Sequence, residues 1–302
     1  MKVSITFPSV MYREGPGAVQ RLIQGVDTLG FDELNVLDHV VMGYPAPGRS
    51  APVYPPQMPI LEALSLLSYA AAVTDRVGLS TSVLVLPQRQ PVLAAKQLST
   101  IDTLSNGRLR VGIGTGWQAS EYHALDKHFG NRGRRVVEAV ALMRECWSQP
   151  QLDFAGDFYT LSKMAMEPKP DRGRDIPVWI GGTAKPALRR VAEIGDGWMG
   201  MNFGHDLQRA RQSIAIIQDH AAAMGRNPAD IGLQMSVTPR RGGDAKRFYG
   251  SAGAMAEHAK ALNQIGFEWL SINLVELFRA GFRSVDEMLE QLNRLQEALT
   301  GG

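Results

Sequence analysis

Three short strings in the sequence carry residue types that do chemistry. Asp38-His39 follows the apolar run Leu34–Leu37 and leads into a loop. A histidine exchanges protons near neutral pH, so it suits general acid or base work. The same pair also suits a surface loop whose aspartate caps a helix. Gly112-x-Gly114-x-Gly116 ends the apolar run Leu109–Ile113 and is followed by Trp117, Ser120 and Glu121. Spaced glycines after a strand let the backbone come close to something flat or anionic. Gly181-Gly182-Thr183 follows Val178–Ile180 and precedes Lys185-Pro186. Proline belongs in a first helical turn. The free N–H groups there, with the Thr183 hydroxyl, form an anion site suited to a flavin phosphate. A tight strand-to-helix turn accounts for the same residues.

The glycine spacing bears on what they hold. A dinucleotide fingerprint is G-x-G-x-x-G inside a βαβ unit, and here the spacing is G-x-G-x-G. The polar stretch Gln118–Gly130 is expected to be a loop rather than an immediate helix, which also weakens the dinucleotide reading. A nicotinamide dehydrogenase with a Rossmann domain further predicts a break near the middle of the chain, and no linker divides it.

Strands are predicted at Val3–Phe7, Leu34–Leu37, Val77–Val85, Leu109–Ile113, Pro177–Ile180, Gly197–Met201, Ile231–Val237 and Trp269–Leu274. Helices are predicted at Gly17–Leu29, Ile60–Val73, Val92–Leu104, Arg132–Trp147, Pro186–Ile194, Leu207–Met224, Met255–Ile265 and Val285–Leu299. Strict βα alternation implies a parallel sheet. Eight such units in 302 residues make an α/β protein of the (β/α)8 TIM-barrel type, one domain over residues 1–302. The Gly43–Pro59 and Phe154–Pro177 segments read as insertions in βα loops, and Phe154–Tyr159 as a hairpin. Residues 240–254 read as a loop. In a TIM barrel the active site lies at the C-terminal strand ends. The residues there are Phe7, Asp38-His39, Ser82 through Val85, Gly114 through Trp117 with Ser120-Glu121, Gly181 through Thr183, Met201-Asn202 and Thr238 through Arg241.

Charge is nearly balanced, with 32 basic and 30 acidic residues. That leaves no footprint for nucleic acid or a membrane surface. The run Lys127–Arg135 is either a solvated helix start or a greeting for an acidic cofactor tail or a substrate phosphate. The single cysteine, Cys146, lies in a helical pattern and reads as a buried structural thiol, which fits a reducing, cytoplasmic setting. The opening residues read as a strand, so no signal peptide is expected, and no apolar run is long enough for a bilayer. No metal site is expected.

Several strings in fixed order resemble the luciferase-like monooxygenase superfamily, in particular its coenzyme F420-dependent oxidoreductases. They are Leu98 through Trp117, Arg132-Gly133, Trp147 through Tyr159, Pro177 through Gly182 and Ala187 through Trp198, covering Met1 to about residue 240. The resemblance implies a barrel with its cofactor, F420 or alternatively FMN, at the C-terminal face. It implies that His39 is the catalytic proton-transfer residue and that Asp38 touches the deazaflavin. Ser82, Val83, Leu84 and Val85 would back the ring, often through a non-prolyl cis peptide. Gly114, Gly116 and Ser120 would line the cofactor, and Gly181, Gly182 and Thr183 would hold its phosphate. Phe7, Trp117 and Glu121 would line the substrate pocket. Some sugar-phosphate dehydrogenases of the family carry a catalytic glutamate where this chain has Trp117. An acid-assisted alcohol oxidation would therefore need Glu121 or Glu14, and Trp117 suits an apolar or aromatic wall. The implied activity is hydride transfer between F420 and a small organic substrate. The alternatives are an FMN monooxygenase fed by a partner reductase, and a non-catalytic flavin-binding barrel. Helices Leu61–Val73 and Val92–Leu104 are apolar over more than one face, which suggests a homodimer.

Overall fold

The computed structural model describes residues 1–49, 54–171, 175–201 and 203–300. Asn202 and parts of both inserted loops lie outside them. In chain order the elements are β1 (Lys2–Thr6), α1 (Pro16–Thr28), β2 (Glu33–Val36), α2 (Ala63–Val73), β3 (Gly78–Val85), α3 (Pro91–Leu104) and β4 (Leu109–Gly114). Then come α4 (Ala119–Ala124), α5 (Arg132–Ser148), β5 (Leu152–Ala155), β6 (Thr160–Met164), β7 (Val178–Gly181), α6 (Lys185–Ile194), β8 (Gly197–Gly200) and α7 (Leu207–Ala223). The chain finishes with β9 (Gly232–Ser236), α8 (Ala245–Tyr249), α9 (Ala252–Asn263), β10 (Trp269–Asn273), α10 (Leu274–Ala280) and α11 (Val285–Thr300).

Eight parallel strands close into a barrel in the order β1-β10-β9-β8-β7-β4-β3-β2. This is the predicted (β/α)8 architecture. β5 and β6 pair antiparallel outside the barrel, so the expected hairpin is present and its strands reach beyond Phe154–Tyr159. Apolar strand residues facing outward, such as Val111, Ile113, Val178 and Ile180, are buried under the helices. Each helix turns its apolar stripe onto them.

Three expectations fail for local reasons. The stretch after β4 is not all loop, because α4 forms within it and is tied down by contacts to the end of β2. Residues 240–254 hold α8 and the start of α9, with Asp244 and Ser251 as N-caps. Leu274 starts α10 instead of ending β10. Asn273 accepts the Val275 N–H through its side chain at 2.9 Å, and this cap turns the chain without a linker.

The floor of the barrel is polar at its centre. The Arg110 guanidinium donates to both carboxylate oxygens of Glu33 at 2.7 Å and to Gln234 at 2.6 Å. It lies 4.0 Å from the Trp179 ring and 4.2 Å from the Trp269 ring. Space for Trp179 comes from two glycines, since a Cβ at Gly197 or Gly232 would stand 2.3 or 2.4 Å from the indole. A buried ion pair carries a large desolvation cost, and here two indole faces and the Gln234 amide surround it. Among the described residues no helix is long and apolar enough to cross a membrane.

Candidate active site at the mouth of the barrel

His39 stands at the end of β2, and α4 brings Glu121 to it. The imidazole Nδ1 and the Glu121 carboxylate are 3.0 Å apart, with side chains 8% and 1% exposed. The other Glu121 oxygen accepts the N–H of Val40 at 2.6 Å and that of Val41 at 3.3 Å. Gln118, just before α4, completes the tie. Its amide donates to the Val41 carbonyl at 2.7 Å and accepts the Gly43 N–H at 3.2 Å. Burial raises the Glu121 carboxyl, but the hydrogen bond and charge of His39 and the Val40 amide outweigh burial and hold it below the usual carboxylate range. Glu121 is thus an anion aimed at His39. An anion there accepts from Nδ1–H, which leaves Nε2 as the nitrogen that can take or give a proton.

Asp38 points elsewhere. It is 4% exposed. One carboxylate oxygen accepts the Val85 N–H at 2.9 Å and the other accepts from Arg89 at 2.7 Å, while Arg89 also reaches Glu62 at 2.9 Å. Asp38 therefore fastens the end of β2 to the end of β3. Leu84 and Val85 are buried at 0% and 3%, and Phe7 at 1%.

The next stretch of the wall is built by β3, which pairs with β2, and then by β4 and β7. The Ser82–Val83 peptide is cis, and the β3–β4 register shifts between Thr81 and Leu84. Val83 thereby lies over both glycine strands. A Cβ on Gly114 would stand 2.4 Å from its Cγ2, and one on Gly181 2.6 Å from its Cγ1. Gly116, at φ +64°, would put a Cβ 2.7 Å from Val85 Cγ1. The glycines make room for valine side chains, which then present a smooth apolar face. Next to this wall, Gly182 adopts φ +121°, and its carbonyl accepts the Trp198 indole N–H at 2.8 Å. Thr183 follows, and α6 begins at Lys185 with Pro186 in its first turn. Glycine without a Cβ, a hydroxyl and a ten-residue helix start make a site that fits a phosphate.

Around His39 stand Trp117 and Tyr54, both edge-on to the imidazole, at 5.5 and 5.9 Å between centroids. Ser120 faces Gly43, where a Cβ would come within 2.5 Å of the serine hydroxyl. Glu14 accepts the Val285 N–H at the start of α11. The basic run is partly used locally. Arg132 lies 3.6 Å from the Phe129 ring, and Arg134 pairs with Asp157 at 2.5 Å. Beside it, α5, the β5–β6 hairpin and α6 border a groove of about 670 Å³ lined by Arg134, Arg189, Arg190, Glu138, Asp157 and Glu193. Arg89, Gln118 and Tyr54 were absent from the residues singled out in the sequence. The only signal for Gln118 is its place three residues before Glu121 at a helix start.

A family model described as luciferase-like monooxygenase matches residues 1–245. The chain belongs to this family. An uncharacterized protein of Mycobacterium tuberculosis is 32% identical over 186 residues, covering 59% of this chain and 63% of the relative. An FMNH2-dependent dimethylsulfone monooxygenase of Pseudomonas fluorescens is 35% identical over 172 residues, 56% of this chain and 46% of that protein. The matches thus span less than two thirds of these relatives. Two solved structures share the fold of this luciferase-like barrel. An F420-dependent secondary alcohol dehydrogenase has a TM-score of 0.74 at 18% identity, over 98% of this chain and 99% of that one. A type II Baeyer–Villiger monooxygenase from Pseudomonas putida in complex with FMN has 0.72 at 15%, over 100% and 98%. The Pseudomonas fluorescens relative is thus named for FMNH2, and the two barrels of the same fold are named for F420 and for FMN.

Proposed function

We propose that this luciferase-like protein transfers a hydride between coenzyme F420 and a small organic substrate at the mouth of its barrel, with His39 exchanging the accompanying proton. The observation that carries the reading is the buried Glu121 carboxylate on His39 Nδ1, with Val83 of the neighbouring strand laid over Gly114 and Gly181 as an apolar wall. The wall fits one face of a flat tricycle, and Gly182, Thr183 and the start of α6 fit its phosphate. When bound, a deazaflavin supplies or accepts the hydride. The protein's own part is to orient, to exclude water and to move a proton. Glu121 fixes the tautomer and ring plane of His39, and Nε2 serves as acid or base. Asp38 and Arg89 hold the ends of β2 and β3 together, which keeps His39 at a fixed distance from the Val83 wall. The choice of F420 rests on the groove of Arg189 and Arg190, whose local carboxylates are largely engaged. Asp157 takes Arg134, and Glu138 accepts the amides of Asp157, Phe158 and Tyr159. That suits the acidic tail of F420.

A second reading, an FMNH2-dependent monooxygenase served by a reductase, is favoured by the printed name of the Pseudomonas fluorescens relative. Titrating the purified protein with F420 and with FMN separates the two. F420 binding with weaker FMN binding is expected, and tight FMN binding without measurable F420 binding overturns the proposal. A cytoplasmic homodimer completes the proposal. Its contact would use α2 and α3, where Tyr69, Leu93 and Leu104 are exposed.

A further inference from the structure

The large apolar side chains left exposed are unevenly placed. Among the described residues they number eleven, and Val40, Val41, Tyr44 and Trp117 are four of them. These four sit on the two segments that Glu121 and Gln118 tie together, around His39. Exposed apolar surface gathered beside a buried polar pair marks a place where something apolar binds. Trp117 is 40% exposed while its edge contact covers His39. The Tyr54 ring also meets the imidazole edge-on, at 5.9 Å between centroids. Its neighbours from α10 offer little net charge, because Glu276 and Arg279 pair with each other at 3.0 Å and Arg279 lies 6.0 Å from the Tyr54 ring. Aromatic walls favour flat partners that stack or meet edge to face.

From this arrangement we infer that the substrate pocket takes a molecule with a flat, conjugated ring, seated on Trp117 and Tyr54 over His39. The inference rests on the functional reading above, since it places the ring of the substrate where His39 can reach a proton on it. Trp117, Tyr54 and Val41 set specificity; His39 and Glu121 set reactivity. The segment before α4 and the loop after β2 thereby meet at His39, and Tyr54 links them to Arg279 of α10, beyond the segment matched by the family model.

A matched pair of probes tests this: 2-naphthol, which is flat, and decahydro-2-naphthol, which has the same skeleton and is saturated. Binding of each is measured by calorimetry, with and without F420, to wild type, Trp117→Ala, Trp117→Phe and Trp117→Leu. Wild type is expected to prefer 2-naphthol by about tenfold, the scale of one good aromatic contact. Trp117→Phe should keep that preference, Trp117→Leu should abolish it, and Trp117→Ala should weaken 2-naphthol by about tenfold. Equal affinity of wild type for both probes, or an unchanged preference in Trp117→Leu, overturns the inference. Thermal melts of each variant show whether it is folded, and the conservative Trp117→Phe and Trp117→Leu pair keeps the comparison decisive if Trp117→Ala is not. Loss of F420 binding in the same preparations counts against the functional reading alone, because the probe preference is read without cofactor as well.

Discussion

His39 and His258 are both buried imidazoles, and the protein houses them in opposite ways. The His39 side chain is 8% exposed and has a carboxylate on Nδ1. His258, on α9, is 3% exposed and lies flat against His205 at 3.9 Å between centroids and 13° between planes, with Phe248 edge-on to both. Among the described residues no side chain hydrogen-bonds to either nitrogen of His258 or to Nε2 of His205. The charged groups nearby are Arg240, which repels a second positive charge on both rings, and Glu257 beside His205. Burial first, then His205, pushes His258 down to about 4. Burial and Arg240 lower His205 as well. The same side chain thus has a carboxylate on one ring nitrogen in one place, and is kept neutral by its surroundings in the other. The partner decides, not the residue type.

Breaking the His39 side should have the largest effect. Glu121→Leu removes the acceptor from Nδ1 and leaves the Val40 N–H without its partner. Loss of turnover by a factor on the order of 10²–10⁴, the range of general acid–base catalysis, is expected in the cofactor-dependent assay. Glu121→Gln should retain more of the fold, and its pH profile should shift, since a neutral amide no longer stabilises the imidazolium. A variant with the wild-type profile would assign Glu121 a structural role only.

The His258 side appears in stability rather than turnover. Its folded pKa, about 4, lies below the ordinary histidine value of 6.5. Between the two values the unfolded chain binds more protons, so stability is complete above 6.5 and falls as pH drops toward 4. The loss is about 3 kcal/mol by linkage. Denaturant melts at stepped pH check this. His258→Phe, which keeps a flat ring against His205, should flatten the slope, and an unchanged slope would assign the acid sensitivity to other groups.

A smaller effect sharpens the Val83 wall. Gly114→Ala drives a methyl into Val83 and should cost about 1–3 kcal/mol in melts, as overpacking does. Gly114→Ala combined with Val83→Ala should recover part of it. Smallest is the groove. Arg189→Ala with Arg190→Ala should weaken F420 by about 1 kcal/mol, a single exposed charge contact or two, and leave FMN nearly unchanged. Equal effects on both would remove the argument for F420.

The eight strands were legible because each is a short apolar run bounded by glycine, proline or polar turns, and βα alternation leaves few ways to close them. His39 was legible as a residue type at a strand end. Its partner was legible only as a pocket residue. Glu121 stands 82 positions away in the sequence, and the short helix that aims it has a polar sequence that reads as loop. α10 was hidden because Asn273 caps it directly at the strand end. The Glu33–Arg110 pair on the barrel floor joins β2 to β4, and nothing in either strand announces the other. The glycines after β4 were read as space for a ring. In the fold the space at Gly114 and Gly181 belongs to Val83, because a register shift in β3 places that side chain there.

The proposed role of His39 depends on which of its nitrogens carries the proton. Long-range ¹H–¹⁵N spectra of protein labelled in its histidine rings, assigned with His39→Gln, read this directly. The proton should sit on Nδ1 in wild type at neutral pH, and Glu121→Gln should relax that preference. A wild-type ring protonated on Nε2 alone, with Nδ1 bare toward Glu121, would contradict it.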